Sequence, residues 1–178
     1  MVDTLVKKLT KAEFWAIADA ADVTYELIDG VAVAKMSPKY FHSRTRGCLV
    51  RILDRWSDGK GRVGIEWAID LTETYSPVPD LSYISFDRLP ITWDENAACP
   101  VAPELAIEII SPGQTFGEMI QKASIYLSNN VLRVWIIDPS ARSLTVFYRD
   151  AAPVTYTGEQ LIFDPIFPEL SIVTSQLF

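Results

Sequence analysis

One strand-like segment constrains this sequence more than any other. The run Leu105–Ile110 is apolar except for Glu108, and Pro103 and Pro112 bound it. A short apolar run of this kind is typical of a β-strand that is buried on both faces. A carboxylate in the middle of such a strand is costly unless a partner compensates for its desolvation. The sequence therefore predicts a buried central strand whose glutamate has a partner.

A second candidate strand begins at Asp80, which follows Pro79. An aspartate in this position can also be an ordinary strand-start or turn residue. If Asp80 converges with Glu108, a divalent cation is a favourable partner, because one of two bare neighbouring carboxylates would otherwise stay protonated. We therefore expect Asp80 and Glu108 to bind Mg²⁺ or Mn²⁺. Two carboxylates alone would also suit a glycosidase.

Other patterns predict where helices and turns begin. Thr10 with Glu13 and Thr115 with Glu118 form capping boxes, each of which predicts the start of a helix. The dipeptide Asp29-Gly30 between two apolar runs predicts a two-residue β-hairpin.

The alternation of apolar and polar residues from Arg62 to Leu71 predicts a half-buried strand. In order, the predicted elements are a helix, a hairpin, a second helix, three strands, a third helix and at least two strands. This order indicates an α/β or α+β fold with a mixed central β-sheet flanked by helices.

Length and composition predict a single cytoplasmic domain over residues 1–178. Residues 1–10 lack the apolar segment of a secretory signal, and no apolar run approaches the roughly 20 residues that span a membrane. Cys48 and Cys99 show no metal-ligand spacing, which favours a reducing compartment.

The charge distribution leaves two interpretations open. A net charge of −7 argues against indiscriminate nucleic-acid binding, yet half of the 16 basic residues lie within residues 35–62. On the helix predicted from about Tyr40 to Trp56, Arg44, Arg51 and Arg55 share a face away from the apolar stripe. This face is either solvated or a patch that contacts a phosphate-rich ligand such as nucleic acid.

A series of motifs along almost the whole chain resembles one family. Pro79-Asp80, followed some thirty residues later by a mid-strand glutamate, resembles the PD-(D/E)XK nuclease superfamily. More closely, the chain is similar to the Uma-type family of restriction-endonuclease-like proteins. The matching segments are Tyr25-Glu26-Leu27-Ile28-Asp29-Gly30, Ser37-Pro38 with His42, Val78-Pro79-Asp80-Leu81, Pro103-Glu104-Leu105 through Glu108 to Ser111-Pro112, Lys122 with Tyr126, Trp135-Ile136-Ile137-Asp138-Pro139, and Phe167-Pro168-Glu169-Leu170 to Leu177-Phe178.

The resemblance implies a restriction-endonuclease-like fold and a Mg²⁺- or Mn²⁺-dependent site. Asp80 and Glu108 would bind the cation, with Glu26 as a further acidic member of the site. We expect the carbonyl of Ile109 to contribute a further ligand. His42 is the single histidine of the chain, and it is an accessory candidate, although a lone histidine is more often structural.

The catalytic lysine departs from the superfamily pattern. That pattern has a lysine two residues after the glutamate, where this chain has Ile110. The resemblance implies that the lysine has moved to the following helix as Lys122, with Tyr126 one turn beyond as an accessory. An ordinary i, i+4 ion pair with Glu118 is the alternative for Lys122.

These inferences predict an endonuclease that hydrolyses nucleic-acid phosphodiester bonds, with DNA as the expected substrate. A homodimer is compatible with the resemblance, because cutting both strands of a duplex is simplest with two sites. The alternative is a catalytically inactive nucleic-acid-binding or protein-interaction module that retains the fold.

Overall fold

A six-stranded sheet forms the centre of the computed structural model, which describes residues 8–178. Residues 1–7, from which the lack of a secretory signal was partly inferred, lie outside the described residues. The sheet strands are β3 Gly61–Ile65, β4 Leu81–Ser85, β5 Leu105–Ile109, β6 Arg133–Asp138, β7 Ser143–Tyr148 and β8 Val154–Thr157, which neighbour one another in that order.

Smaller elements surround this sheet. Two short hairpin-like pairs combine β1 Tyr25–Ile28 with β2 Val31–Ala34, and β9 Leu161–Ile162 with β10 Ile172–Val173. The helices are α1 Lys11–Ala18, α2 Tyr40–Ser57 and α3 Phe116–Ser128, and a 3₁₀ turn spans Thr174–Leu177. Among the described residues, no helix is long and apolar enough to cross a membrane.

The sheet is mixed, as the sequence predicts. Strands β5 and β6 run parallel, and the other neighbouring pairs are antiparallel. A parallel pair needs a crossover connection, and helix α3 supplies it. The predicted class, a mixed central sheet flanked by helices, is confirmed.

The two faces of β5 pack against different layers, because successive side chains of a strand point to opposite faces. Leu105, Ile107 and Ile109 belong to the main core, together with Leu49 and Leu53 of α2. Ala106 belongs to a second core with Met119 and Ala123 of α3. Glu108 shares the face of Ala106, so its carboxylate lies under α3.

The local predictions for helix starts and the first hairpin are confirmed. Both capping boxes form. In each, the threonine hydroxyl accepts a hydrogen bond from the amide of the glutamate three residues later, and that glutamate's carboxylate accepts one from the threonine amide. At the turn of the β1–β2 hairpin, Asp29 and Gly30 have φ values of 48° and 73°. Positive φ at both central residues is characteristic of a type I′ turn.

The strand predicted over residues 62–71 is shorter than the alternation suggests. Strand β3 ends at Ile65, and Glu66 has a φ of 47°, in the left-handed region that strands do not adopt. Beyond this break Ile69 makes an isolated bridge to Cys99. The alternation continued past residue 65 because Trp67 and Ile69 pack into a separate small core beside the sheet.

Candidate active site

Three buried carboxylates, Glu26, Asp80 and Glu108, line one cavity of about 420 Å³. Asp80 immediately precedes β4, and Glu108 lies within the antiparallel neighbour β5. In the register of these strands Leu81 is opposite Ile107, and the next step places Asp80 beside Glu108. The third carboxylate, Glu26, comes from β1 of the hairpin.

The carboxylate of Asp80 is fixed by three donors from separate parts of the chain. The Lys35 ammonium donates to Oδ1 at 2.9 Å, and the amide of Ile109 donates to Oδ2 at 2.8 Å. His42 Nε2 lies 3.0 Å from Oδ2 and is the donor, because an ionised carboxylate only accepts. Although burial raises the pKa of Asp80, the hydrogen bond from His42 and the charge of Lys35 outweigh it and hold that pKa well below its usual range.

Glu108 has two donors from α3. Lys122 Nζ lies 2.8 Å from Oε1, and the hydroxyl of Tyr126 donates to the same oxygen at 2.8 Å. Burial raises the pKa of Glu108 to about 7, and the neighbouring Asp80 and Glu26 carboxylates add to the increase. Glu108 therefore keeps a proton more readily than Asp80 does.

Glu26 connects the hairpin to the rest of the site. Lys122 Nζ donates to its two oxygens at 2.9 and 3.1 Å, and the amide of Val78 donates to Oε1 at 2.7 Å. Burial would lower the pKa of Lys122, but the charges of Glu108 and Glu26 outweigh it and raise that pKa. The Lys122 ammonium thus stays charged between two carboxylates.

Lys122 does not pair with Glu118, the i, i+4 partner that the sequence offered as an alternative. Glu118 bonds to the backbone and hydroxyl of Thr115 in the capping box. Lys122 instead points into the cavity, with Tyr126 fully buried one turn beyond it. Both side chains therefore contact the cluster that the sequence analysis assembled from separate motifs.

The donor chemistry of the cavity suits a hard divalent cation, because three buried carboxylates offer oxygen ligands. Within residues 8–178, no group of three or more histidine, cysteine or acidic side chains is arranged to hold a metal ion. Mg²⁺, however, usually takes one or two carboxylates and keeps several waters. Asp80 and Glu108 together provide the two carboxylates that such a site needs. Ile109, expected to offer its carbonyl, lines the same cavity and binds Asp80 through its amide.

The three arginines of the predicted patch on α2, Arg44, Arg51 and Arg55, do not line this cavity. Arg51 and Arg55 border a second groove of about 570 Å³, together with Lys60 and Trp56. Arg44 borders a third, smaller cavity. The predicted arginine patch is therefore divided between two depressions, while His42 of the same helix reaches Asp80.

Sequence reasoning missed Lys35 as a member of the site. It counted this residue only within the basic segment, but the ammonium is bonded to Asp80. The hairpin register pairs Glu26 with Val33, so Lys35, two residues further on, falls on the same face as Glu26. This shared face of the hairpin is the sequence signal that could have identified Lys35 as a member of the site.

Sequence reasoning also missed Arg46 as a residue near the cavity that contains Asp80 and Glu108. It is on α2, and its guanidinium lies 2.7 Å from Glu66, which lines the same cavity. The left-handed backbone of Glu66 could not be anticipated from the alternating sequence.

Comparison with solved structures identifies the fold. The chain matches a crystal structure described as "a putative nuclease belonging to DUF820" from Anabaena variabilis, with a TM-score of 0.83 and 24% sequence identity. The match covers 96% of this chain and 97% of the other. The mixed sheet with its three helices is thus a nuclease-like fold.

A family model described as "Putative restriction endonuclease", Uma2, matches residues 11–175. The chain belongs to this family, and the recognition made from the sequence motifs is confirmed. No curated protein matches the chain. Restriction-endonuclease-like proteins generally use a divalent metal ion.

Proposed function

We propose that this protein is a Mg²⁺- or Mn²⁺-dependent endonuclease that hydrolyses phosphodiester bonds of nucleic acid, with DNA as the substrate. One observation carries the proposal. Asp80 and Glu108 lie side by side in a cavity where the half-buried Lys122 contacts Glu108. Family membership and the nuclease-like fold support the same class of reaction.

Asp80 and Glu108 would hold the cation. When bound, it would polarise the scissile phosphate and lower the pKa of a water molecule. Asp80 is prepared for this role, because His42 and the Ile109 amide fix its orientation and its low pKa keeps it ionised. Glu108 must first lose the proton that its raised pKa favours.

Lys122 would stabilise negative charge as the water oxygen bonds to phosphorus and the bond to the leaving sugar oxygen breaks. A fixed ammonium in a partly water-excluded cavity can stabilise charge that develops on phosphoryl oxygens. Glu26 and Tyr126 would act as positioning residues, since Glu26 holds the Lys122 ammonium and Tyr126 holds the Glu108 carboxylate.

Arg51 and Arg55, with Arg44 in its separate depression, would contact the phosphate backbone away from the cut. Such contacts add affinity without reading the sequence. A homodimer that places two sites on one duplex belongs to the same proposal. It can be tested by sedimentation of the protein with and without DNA.

The proposal is tested by titrating Mn²⁺ into the protein by calorimetry and measuring plasmid cleavage in parallel. Asp80→Asn and Glu108→Gln should each abolish both signals. Lys39→Met, which changes an exposed residue next to the cavity-lining Pro38 in the sequence, is the control and should keep both.

Two other results would change the assignment. Cation binding that survives in both carboxylate variants would contradict the proposed site. An unmodified protein that binds DNA but neither Mn²⁺ nor Mg²⁺, and cuts nothing, would be the inactive nucleic-acid-binding module instead.

A further inference from the structure

Lys35 is the second lysine of the cavity, and its contacts differ from those of Lys122. Its ammonium donates to Asp80 Oδ1 at 2.9 Å and to the carbonyl of Val78 at 2.9 Å. The residue follows β2 directly, and its backbone amide donates to the carbonyl of Thr24. Its stem is thus fixed at the hairpin while its charged end lies on the Asp80 carboxylate.

The two lysines supply the charge that the carboxylates need. Three buried carboxylates, Glu26, Asp80 and Glu108, face the two ammoniums of Lys35 and Lys122, which together carry the charge of one divalent cation. A dication that binds Asp80 would compete directly with Lys35, because both would use the oxygens of one carboxylate. Lys122 is held by two carboxylates, whereas Lys35 is held by one.

We propose that Lys35 neutralises Asp80 in the cation-free protein and, when a divalent cation binds Asp80, turns into the cavity to bind a non-bridging phosphate oxygen of the nucleic acid. The inference rests on the proposed function and adds a second phosphate-binding residue to it.

The position of Lys35 allows this exchange. Its side chain is 14% exposed and lines the cavity, so the ammonium has open space beside it. A lysine ammonium is a compact charge on a flexible four-carbon stem and can exchange one partner for another within a few ångströms. The bond to the Val78 carbonyl does not depend on Asp80, so it would keep the ammonium near the cavity after the exchange. A phosphate oxygen would then replace the carboxylate that the cation takes.

The first experiment measures the competition. Mn²⁺ is titrated by calorimetry into the unmodified protein, Lys35→Met and the control Lys39→Met. Lys35→Met should bind Mn²⁺ roughly tenfold more tightly, the size expected when one hydrogen bond to a charged group no longer opposes binding. The control should bind Mn²⁺ as the unmodified protein does. A Lys35→Met affinity that is equal or weaker would overturn the inference, whereas absence of binding in the unmodified protein would overturn the proposed function itself.

The second experiment separates an exchange from simple charge repulsion. The affinity for a short DNA duplex is measured for the unmodified protein and Lys35→Met, with EDTA and with Ca²⁺, and the duplex is checked for cleavage afterwards. Lys35→Met should weaken DNA binding about tenfold with Ca²⁺ and by much less with EDTA, because Asp80 holds the ammonium when no cation is bound. An equal loss in both conditions, or none in either, would contradict the exchange.

A second substitution tests whether the effects of Lys35→Met on Mn²⁺ and DNA affinity come from the lost charge and not from a change in the fold. Lys35→Arg serves as the second variant, because it keeps a positive charge on the cavity and changes the side chain less. It should bind Mn²⁺ within about threefold of the unmodified protein, since a cation still opposes Mn²⁺ at Asp80. If Lys35→Arg gains Mn²⁺ affinity as strongly as Lys35→Met, competition by the ammonium is wrong.

Discussion

The ammonium of Lys122 lies 2.8 Å from Oε1 of Glu108, which joins helix α3 to the central strand β5. The same nitrogen lies 2.9 Å from Oε1 of Glu26 on the hairpin. One lysine therefore pairs with two buried carboxylates from two elements. Removing one partner of a buried ion pair is strongly destabilising, because the remaining charge has no compensation. The site residues consequently contribute to the stability of the protein as well as to its proposed chemistry.

Lys122→Met should affect both stability and cleavage. Without a divalent cation, we expect the free energy of unfolding to fall by about 3 to 5 kcal/mol, because Glu26 and Glu108 lose their shared partner. Cleavage should fall roughly 10²-fold or more through loss of the charge near the phosphate. Urea unfolding with and without Mn²⁺, and plasmid cleavage with Mn²⁺, measure the two effects.

The cation dependence of this variant is its internal control. Mn²⁺ should restore much of the stability, because a dication replaces the missing positive charge, but it should not restore cleavage. If the stability of Lys122→Met equals that of the unmodified protein without a cation, the ion pairs contribute nothing. Cleavage at the parental rate would remove Lys122 from the mechanism.

The sequence was sufficient to predict the elements that follow local rules. The capping boxes at Thr10 and Thr115 and the Asp29-Gly30 turn satisfy backbone groups within a few residues, so their signals are complete in the sequence. The carboxylate of Glu108 was recognisable because it interrupts an apolar strand. Its desolvation cost is a local property, so no knowledge of the partners was needed.

The partners themselves depend on long-range packing that the sequence does not specify locally. The bond between Lys35 and Asp80 joins residues 45 positions apart, and the bond between Lys122 and Glu26 joins residues 96 apart. The left-handed backbone of Glu66 likewise ends β3 although the alternation of apolar residues continues beyond it, where Trp67 and Ile69 pack into the separate small core. Family resemblance supplied Lys122, whereas the one sequence signal for Lys35 is its position on the same face of the β1–β2 hairpin as Glu26.

Tyr126→Phe should destabilise the protein in a pH-dependent way. The buried hydroxyl donates to Glu108 at 2.8 Å, and a hydrogen bond to a charged group contributes about 1.5 to 3 kcal/mol. We expect a loss of that size at pH 8, where Glu108 is mostly ionised, and a smaller loss at pH 5, where it holds a proton. Urea unfolding at the two pH values measures the difference. Tyr25→Phe, at a half-buried tyrosine on β1, is the control. If Tyr126→Phe loses the same stability at both pH values, the Tyr126 hydroxyl does not act on the charge of Glu108.

Arg51 and Arg55 should contribute to DNA affinity through charge alone. Both border the groove that also contains Lys60, so their double alanine variant removes two positive charges from one depression. The dependence of log K on log salt should become shallower by about 0.9 for each phosphate that the variant no longer neutralises. Fluorescence anisotropy with a labelled duplex at several salt concentrations gives the slope.

Arg44→Ala and Arg149→Ala test which region of the surface causes the change in the salt dependence of DNA affinity. Arg44 lies in another depression, so any change in slope that it causes reports a second region of phosphate binding. Arg149 is exposed and bonds to Asn130, and its removal should leave the slope unchanged. If the double variant and Arg149→Ala behave alike, the groove of Arg51 and Arg55 is only a solvated surface.

The raised pKa of Glu108 predicts that the cation-free protein loses stability as the pH rises. In the unfolded chain this carboxyl titrates near 4.5, whereas in the folded protein its pKa is about 7. Between these values the folded state binds more protons than the unfolded state, so the free energy of unfolding falls with increasing pH. The loss should approach about 3 kcal/mol by pH 8. In Glu108→Gln this component should be absent, and urea unfolding of both proteins from pH 4 to pH 8 measures it as the difference. Parallel stability curves for the two proteins would mean that Glu108 has the same pKa in the folded protein as in the unfolded chain.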